Sequence, residues 1–371
     1  MNVWDVLLLI AGAAIVAGTL MSAIRTVVLP RGVPVRLGRR VFLFVRFLFE
    51  LRIGRKAKYE RRDKIMALYA PVSLFMLLVV WLTIVLGGYM LMFFAVGVRP
   101  LRDAFTVSGS SLLTLGFARG ETLPGTILSF SEATVGLILL TILIAYLPSA
   151  YGVFSRREAM VEALEVRAGA PPSAVEMLER YWAIEFYDEL PQLWERWEVW
   201  FIEVAETHTS FPALAFFRSP EPEQSWVTAA GTVLDAGGIY LGAVDRPREP
   251  RAELMIRAGY IALRRIAAFF KIPYDPDPAP DDPISITRDE FEVALDRLAA
   301  AGVPLKPDRD QAWRDYAGWR VNYDSVLLAL ARLTSAPVAP WSSDRSASYG
   351  PLQALRGRPG TPPRERSKRA R

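Results

Sequence analysis

The chain has 371 residues, of which 52% are hydrophobic and 22% are charged, and its mean hydropathy is +0.21. This composition is too apolar for a purely soluble protein and too charged for one embedded throughout in a membrane, so we expect both a membrane part and a water-facing part. The absence of cysteine and the single histidine, His208, exclude disulfides, thiolate metal sites, cysteine nucleophiles and histidine-rich metal centres. The formal charge of +5 favours an anionic partner, and we expect anionic lipid of the inner leaflet and no nucleic acid.

Three segments of the sequence are long and apolar enough to cross a bilayer, at about 3–24, 71–98 and 127–151. The first has no basic region before it and carries Asp5 instead, so we expect an uncleaved membrane helix and not a secretory signal. Small residues along this segment, among them Gly12, favour close packing against another helix. The sequence therefore predicts three membrane-spanning helices.

Residues 41–51 form a further apolar run, which is too short to span a membrane. Arg39, Arg46 and Glu50 recur around it at spacings of seven and four, which predicts a polar stripe along a helix. A voltage sensor would need its arginines inside a spanning helix. We therefore interpret this run as a basic interfacial helix on the inner leaflet.

Basic residues beside the apolar segments predict the orientation of the chain. Between Arg25 and Lys64 there are thirteen basic residues and three acidic ones, whereas the loop 99–126 has three arginines and two acidic residues. The positive-inside rule then places the first loop and the C-terminus in the cytoplasm, and the N-terminus and loop 99–126 outside. We expect a multi-pass protein of the cell membrane.

Residues 103–120 lie between the second and third apolar segments and carry glycines and hydroxyls. Irregular backbone at membrane depth survives only where it is buried in protein or lines a water-filled path. Inward-pointing carbonyl oxygens can replace the hydration shell of a cation, and such a loop needs glycine at positive φ and a hydroxyl at its inner end. Gly116 and Thr114 meet these needs, and a short helix at about 105–113 would direct the negative end of its dipole toward the path.

Beyond Arg157 the chain is helix-rich, aromatic and interrupted by proline and glycine, as is typical of a water-facing helical domain. We expect helices at about 251–270 and 313–333, an extended acidic connector at 273–283, and disorder from residue 335 onward. Three capping-box patterns, in which Ser or Thr precedes Glu by three residues, predict helix starts. They are Ser129 with Glu132, Ser173 with Glu176, and Thr287 with Glu290.

Two clusters of conspicuous residues have structural explanations. Glu203, Glu206 and His208 lie close in sequence, but no second histidine or cysteine joins them, which disfavours a metal site. Four tryptophans are predicted to pack in the core or against the membrane rather than to hold a cofactor; they are Trp182, Trp194, Trp197 and Trp200. No acid–base pair, activated nucleophile or nucleotide-binding glycine pattern is visible, so we expect neither an enzyme nor a cofactor.

From about residue 72 to 158, the order of outer helix, pore helix, loop, inner helix and basic exit resembles the pore module of two-transmembrane potassium channels. The run Thr-Leu-Gly-Phe-Ala resembles the Thr-Val-Gly-Tyr-Gly filter of that family, and the resemblance covers about a quarter of the chain. It implies four chains around one pore, with K+ or another monovalent cation in the filter as the only bound ion. The implied site residues are a filter of Thr114, Leu115, Gly116, Phe117 and Ala118, an outer mouth with Arg119 and Glu121, and an inner-helix gate at Pro148.

The predicted fold is an all-α membrane protein with a potassium-channel-like pore module, one extra N-terminal transmembrane helix and an all-helical cytoplasmic domain. The predicted function is passive, gated cation permeation, with potassium as the expected ion, by a homotetramer. The alternative is a non-conducting membrane anchor or scaffold whose cytoplasmic helical domain binds partners. The predicted divisions are 1–24 for the N-terminal transmembrane helix, 25–65 for the basic cytoplasmic loop with its interfacial helix, 66–157 for the pore module, 158–334 for the helical cytoplasmic domain and 335–371 for a disordered basic tail.

Overall fold

The structure is a computed structural model, and it describes residues 2–27, 36–53 and 59–348. Within these ranges the chain is all-helical and has no strand, which confirms the predicted all-α class. Parts of the predicted cytoplasmic loop, 28–35 and 54–58, and the predicted tail beyond residue 348 lie outside the described residues. The helices are α1 (Val3–Val27), α2 (Arg36–Ile53), α3 (Tyr59–Ala67), α4 (Tyr69–Ala95), α5 (Leu101–Leu112), α6 (Leu123–Ala168), α7 (Ala174–Ala183), α8 (Leu190–Ser210), α9 (Trp226–Ala243), α10 (Pro250–Phe269), α11 (Arg288–Ala300), α12 (Arg309–Arg320) and α13 (Asp324–Thr334).

Three stretches of helix are long and apolar enough to cross a membrane, which fits a membrane protein; that all three span it stays a prediction. They are α1, the joined α3 and α4 at Tyr59–Ala95, and α6. The second begins earlier than the predicted residue 71, because α3 leads into α4 through a turn at Leu68. The third is 46 residues long and continues through Pro148, well past the predicted end at residue 151.

The predicted helix start at Ser129 and Glu132 is wrong, because α6 already begins at Leu123. Just before it, the hydroxyl of Thr122 accepts a hydrogen bond from the amide of Gly125 at 3.2 Å, as the residue before a helix commonly does. Ser129 and Glu132 therefore lie inside the helix. Their side chains are free to bond to other elements, as described below.

The chain divides into two compact units, which we call the N-terminal unit (Met1–Gly152 with Ser210–Leu214) and the C-terminal unit (Val153–Thr209 with Ala215–Arg371). In the N-terminal unit, α1 packs closely along α4. Gly12 allows this approach, because a Cβ atom there would lie only 2.4 Å from the carbonyl oxygen of Gly88. Asp5 pairs with Arg99 at 3.0 Å, so the start of α1 and the segment before α5 lie at the same end of this unit.

Helix α2 also packs against α4, and it is longer than the apolar run that predicted it. The predicted polar stripe is wrong for Arg46, whose side chain is only 1% exposed. Its Nε donates to Glu50 one turn along the helix at 3.0 Å, while Arg39 stays exposed. The pairing with Glu50 explains why packing against α4 can bury this arginine, since a buried charge requires a partner.

In the C-terminal unit, α9 is the central helix and is buried almost all round by α7, α10, α12 and α13. Its Asp235 is buried and accepts hydrogen bonds from three residues that follow it by more than eighty positions. Arg320 donates to both carboxylate oxygens at 2.7 Å, and the hydroxyls of Tyr316 and Tyr323 donate at 3.2 and 2.8 Å. The buried charge is thus paired and fully hydrogen-bonded.

The predicted single helix at 313–333 is wrong, because the chain forms two helices there. Helix α12 ends at Arg320 and α13 begins at Asp324, with a turn between them. The turn brings Arg320 and Tyr323 to the same carboxylate, and it lets Asp324 accept from Arg320 at 2.7 Å. The long-range bonds to Asp235 therefore outweigh the local helical pattern.

Most other helix signals in the C-terminal unit are correct. The hydroxyl of Ser173 accepts from the amide of Glu176 at the start of α7, although the Glu176 carboxylate pairs with Arg180 rather than returning to Ser173. Thr287 and Glu290 form the complete capping box. Helix α10 matches the predicted 251–270, residues 273–283 form no helix, and three of the four tryptophans are buried; these are Trp194, Trp197 and Trp200.

Residues 335–348 are not disordered, so this part of the predicted tail is wrong. Ala339, Ser342 and Ser343 are buried, and Arg345 donates to the carbonyl of Ser285 at 3.0 Å and pairs with Glu290. These contacts hold the segment against α11 and the connector before it. The prediction failed because it rested on composition, which carries no information on such pairings.

We predict that Gly12→Val lowers the thermal unfolding midpoint by several degrees. The added side chain would meet the backbone of Gly88 and the side chain of Met92, and overpacking of this kind costs about 1–3 kcal/mol. Thermal unfolding in detergent, followed by tryptophan fluorescence, measures the effect. Gly18→Val is the matched control on the same helix, because a Cβ at Gly18 meets no atom within 4 Å. Equal midpoints for the two variants would show that α1 does not depend on this close approach.

Candidate functional site

The candidate site is the loop that follows α5. Helix α5 lies against α4, which confirms a short helix between the second and third spans. The chain leaves α5 through Thr114, whose φ of +54° is left-handed. The amides of Thr114 and Leu115 turn back and donate to the carbonyls of Ser111 and Ser110 at 3.0 and 2.8 Å. A left-handed conformation costs a β-branched residue about 1–2 kcal/mol, so the surrounding structure must hold this turn in place.

Glycine is required at Gly116, where φ is +76°. This agrees with the expectation from the sequence that a glycine in the loop supplies a positive φ. Ala118, which stands where the potassium-channel filter has its second glycine, has no positive φ. An alanine therefore fits at position 118 without backbone strain of this kind.

Hydroxyl groups of α5 and α6 form hydrogen bonds with the backbone at the end of the loop, at Ala118 and Gly120. The hydroxyl of Ser110 accepts from the amide of Ala118 at 3.0 Å, and that of Ser129 accepts from the amide of Gly120 at 3.5 Å. Thr126 donates to the carbonyl of Gly120 at 3.0 Å. The segment 114–120 is thus held at its start by backbone bonds to α5 and at its end by side chains of α5 and α6.

Helix α6 approaches the end of α5 very closely at Gly136. A Cβ atom on this residue would lie 2.4 Å from the carbonyl oxygen of Leu112, the last residue of α5. Only glycine permits this distance. The contact places α6 directly against the residue at which α5 ends and the loop begins.

Polar side chains connect the three helices behind the loop. The hydroxyl of Ser108 donates to the fully buried Glu132 of α6 at 2.6 Å and also lies 3.2 Å from the carbonyl of Leu86 in α4. Tyr89 donates to Ser131 at 3.0 Å. The second carboxyl oxygen of Glu132 has no hydrogen-bond partner among the described residues. Sequence reasoning treated Glu132 as a helix cap; its place inside an apolar span was the signal that it bonds within the protein.

The structure brings the predicted filter residues together on the surface of the N-terminal unit. The side chains of Leu115 and Phe117 are 60% and 70% exposed, and Thr114 and Gly116 are exposed as well. Ala118 is half-buried. At the predicted outer mouth, Arg119 and Glu121 are exposed and form no ion pair within the described part of the chain. One chain alone therefore leaves the loop open to its surroundings.

An exposed stripe runs along α6 from its first turn. Its members recur at alternating spacings of three and four residues, which is the heptad spacing of a helix that contacts another helix. Most are apolar, two are threonines, and the predicted gate residue lies among them. They are Leu123, Ile127, Phe130, Thr134, Leu137, Thr141, Ile144, Pro148 and Tyr151. The opposite face of α6 carries the buried Glu132 and Gly136.

A buried polar cluster surrounds Arg157 near the end of α6. Its guanidinium pairs with Glu158 at 2.6 Å and donates to the carbonyl of Phe217 at 2.9 Å and to Nε2 of His208 at 3.0 Å. Because arginine can only donate, Nε2 of His208 must be the acceptor, and Nδ1–H donates to the carbonyl of Val204 at 3.0 Å. The imidazole in this arrangement is neutral.

These contacts bear on the candidate metal ligands Glu203, Glu206 and His208, because they use the ring nitrogens that a metal would need. Both ring nitrogens of His208 are engaged, and no group of potential metal ligands occurs in the described ranges. Burial, together with the charge of Arg157, lowers the pKa of His208 well below its usual range. The histidine therefore has a packing and hydrogen-bonding role in this unit.

Comparison of the chain with models of known protein families, with curated proteins and with solved structures gives no match. The functional interpretation accordingly rests on the geometry of these residues.

We predict that acid pH destabilises the protein through His208. The folded state keeps the imidazole neutral, whereas the unfolded chain protonates it near its ordinary pKa of about 6.5, so unfolding takes up a proton. The stability that the neutral ring provides is complete above about pH 6.5 and declines below it, by about 1.4 kcal/mol at pH 5.5.

Thermal unfolding midpoints at pH 7.5 and 5.5 measure this effect. The matched variant is His208→Gln, whose side chain can still accept from Arg157 but does not titrate. Its midpoint should change less between the two pH values than that of the wild type. An identical pH dependence in both proteins would show that other groups account for acid destabilisation.

Proposed function

We propose that this protein is a passive, gated channel for monovalent cations, with K+ as the expected ion, and that four identical chains enclose its pore. The observation that carries the proposal is loop 114–120. It lies between two helices long enough to cross a membrane, turns through the positive φ of Gly116, and is held from behind by Ser110 and Ser129. Backbone carbonyls of such a loop can coordinate a dehydrated cation.

The homotetramer is proposed because one loop cannot enclose a path by itself. Two features support it: the filter residues are exposed in the single chain, and α6 carries the exposed heptad stripe. In the tetramer this stripe contacts the neighbouring α6 or lines the path below the filter. Pro148 lies on the stripe, where it removes a hydrogen-bond donor from the helix, and is the proposed gate.

The proposal includes an orientation in the membrane and a contact with lipid. The N-terminus and the loop face the outside, and the C-terminal unit faces the cytoplasm, as the positive-inside rule predicts. Arg52, Arg61 and Lys64 line a common surface depression and would meet anionic lipid of the inner leaflet. The protein acts as a channel and not as an enzyme, and it needs no cofactor besides the permeant ion.

We predict that Gly116→Ala abolishes cation flux while the assembly stays intact. A Cβ atom at φ +76° costs about 1–2 kcal/mol and would shift the carbonyls of the filter. Potassium flux from liposomes that contain the purified protein provides the measurement. Gly109→Ala is the matched control, because this glycine lies within α5, has no positive φ and meets no atom within 4 Å.

The oligomer mass in lipid nanodiscs separates the channel from the alternative scaffold. A channel should give a particle of four 41.4 kDa chains, and Gly116→Ala should leave that mass unchanged. Wild-type liposomes without flux, or a particle of only one or two chains, would favour the non-conducting anchor or scaffold.

Arg119 gives a further prediction about the outer mouth. In the proposed tetramer its four side chains form a positive ring beside the filter. Charges a few ångströms apart in partly hydrated surroundings interact by about 1–4 kcal/mol, so Arg119→Asp should raise cation flux by about tenfold at low ionic strength. The gain should shrink in physiological salt, where the screening length is about 8–10 Å.

The matched control for this charge change is Arg257→Asp. Arg257 is exposed on α10 in the C-terminal unit, so the same change of charge occurs away from the filter. Flux that is equal in the wild type and Arg119→Asp at every salt concentration would place the permeation path elsewhere.

The proposed orientation predicts that Glu121→Cys reacts with a membrane-impermeant thiol reagent added to intact cells. Glu121 is exposed and the chain has no other cysteine, so the label reports one site. Val293→Cys, on an exposed position of α11, should react only after permeabilisation. Labelling of Val293→Cys in intact cells, and of Glu121→Cys only after permeabilisation, would show that the orientation is the opposite of the proposed one.

A further inference from the structure

The C-terminal unit contains a cleft of about 610 Å³ that the proposed pore does not use. Its walls come from the end of α9, the loop 245–249, α10, the connector at Pro280, Lys306, and α12 with the turn after it. Backbone contacts hold Lys306 beside the end of α9: Val244 bridges Leu305, and the amide of Lys306 donates to the carbonyl of Ala243 at 2.8 Å. Six segments thus converge on a space with the size of a small-molecule site. We call this space the basic cleft.

Cations outnumber acids in the lining of the basic cleft by four to two. Glu253 is fully engaged, because Arg248 binds both of its oxygens at 2.6 and 2.8 Å. The other acid accepts from a neighbouring glutamine on α12. The four cations are Arg246, Arg248, Lys306 and Arg314, and the two acids are Glu253 and Asp315.

Two of these cations have no carboxylate partner among the described residues. Lys306 donates to the carbonyl of Leu241 at 2.7 Å, which leaves two of its N–H groups for a ligand. The guanidinium of Arg314 donates only to the side-chain oxygen of Gln311, at 2.7 and 3.2 Å. Both residues therefore keep a positive charge and free donors at the cleft.

Neutral donors in the lining are also without a protein acceptor in the described part of the chain. Tyr240 is only 8% exposed and Tyr260 is half-buried, yet neither hydroxyl forms a hydrogen bond with another residue. The indole N–H of the half-buried Trp319 likewise has no acceptor. None of these three donor atoms is buried away from solvent, so each is available to donate to a ligand in the cleft.

We propose that the basic cleft binds a small phosphate ester with at least two negative charges. Such a ligand supplies acceptor oxygens for the free donors of Lys306 and Arg314, and lysine and arginine are the usual phosphate partners. Trp319 lies in the lining, and its aromatic ring is the group proposed to stack on a planar part of the ligand. The volume suits a molecule the size of a nucleotide and exceeds what a single inorganic ion would fill. This site is independent of ion permeation.

Calorimetric titration of the purified full-length protein in detergent tests the proposal. The probes are ATP, which has a ring and a triphosphate, inorganic tripolyphosphate, which has the charge alone, and adenosine, which has the ring alone. We expect ATP and tripolyphosphate to bind and adenosine not to bind. Lys306→Gln and Arg314→Gln should each weaken ATP binding by about tenfold, as loss of a charge-assisted hydrogen bond predicts.

Arg257→Gln is the matched control, because this exposed arginine lies on α10 outside the lining of the cleft. It should leave the dissociation constant unchanged. Trp319→Leu should weaken the binding of ATP and leave the binding of tripolyphosphate unchanged. Unfolding midpoints without ligand identify any variant that fails to fold, in which case the other charge-removing variant provides the test. Lys306→Arg keeps the charge and should keep binding.

Three results would overturn the proposal. The first is that neither ATP nor tripolyphosphate binds. The second is an equal loss of affinity in Arg257→Gln and Arg314→Gln, which would indicate general attraction to a basic protein. The third is binding of adenosine as tight as that of ATP.

Discussion

The loop after α5 exists in its observed form because its backbone groups have partners on both flanking helices. Ser110 on α5 and Ser129 on α6 accept from its amides, and Thr126 donates to its last carbonyl. A backbone group that lacks a partner and is shielded from water costs free energy. These three hydroxyls hold the end of the loop, while the backbone bonds of Thr114 and Leu115 to α5 hold its start.

Glycine has a second role in the N-terminal unit, which is to let helices approach. Gly12 brings α1 against α4, and Gly136 brings α6 against the last carbonyl of α5. Association of apolar helices in lipid depends on such close packing, because lipid tails are as apolar as the side chains they would replace. The position of the loop is thus set by van der Waals contact at Gly136 as much as by hydrogen bonds.

The C-terminal unit is organised around a buried charge instead. Asp235 on the central helix α9 is paired with Arg320 and bonded by two tyrosine hydroxyls. A buried ion pair contributes little net stability over an apolar equivalent, but removal of one partner leaves an uncompensated charge and is costly. Its evident effect here is on geometry, since it requires the turn between α12 and α13. Trp319, the residue before Arg320 on α12, lies in the wall of the basic cleft.

The sequence alone determined the features that depend on neighbouring residues. Hydropathy adds up along a segment, so the three apolar helices were predictable, and the capping box at Thr287 and Glu290 is a local bond. The glycine at positive φ in the loop, Gly116, was also predictable from the needs of a turn.

Tertiary structure decided everything that depends on distant partners. Glu132 has the spacing of a cap, but it bonds to Ser108 on another helix; Arg46 has the spacing of a polar stripe, but α2 buries it against α4. Asp235 lies 85 positions from Arg320, and the basic cleft gathers residues from six segments. Neither spacing nor composition encodes such contacts, because they form only when packing brings remote parts of the chain together.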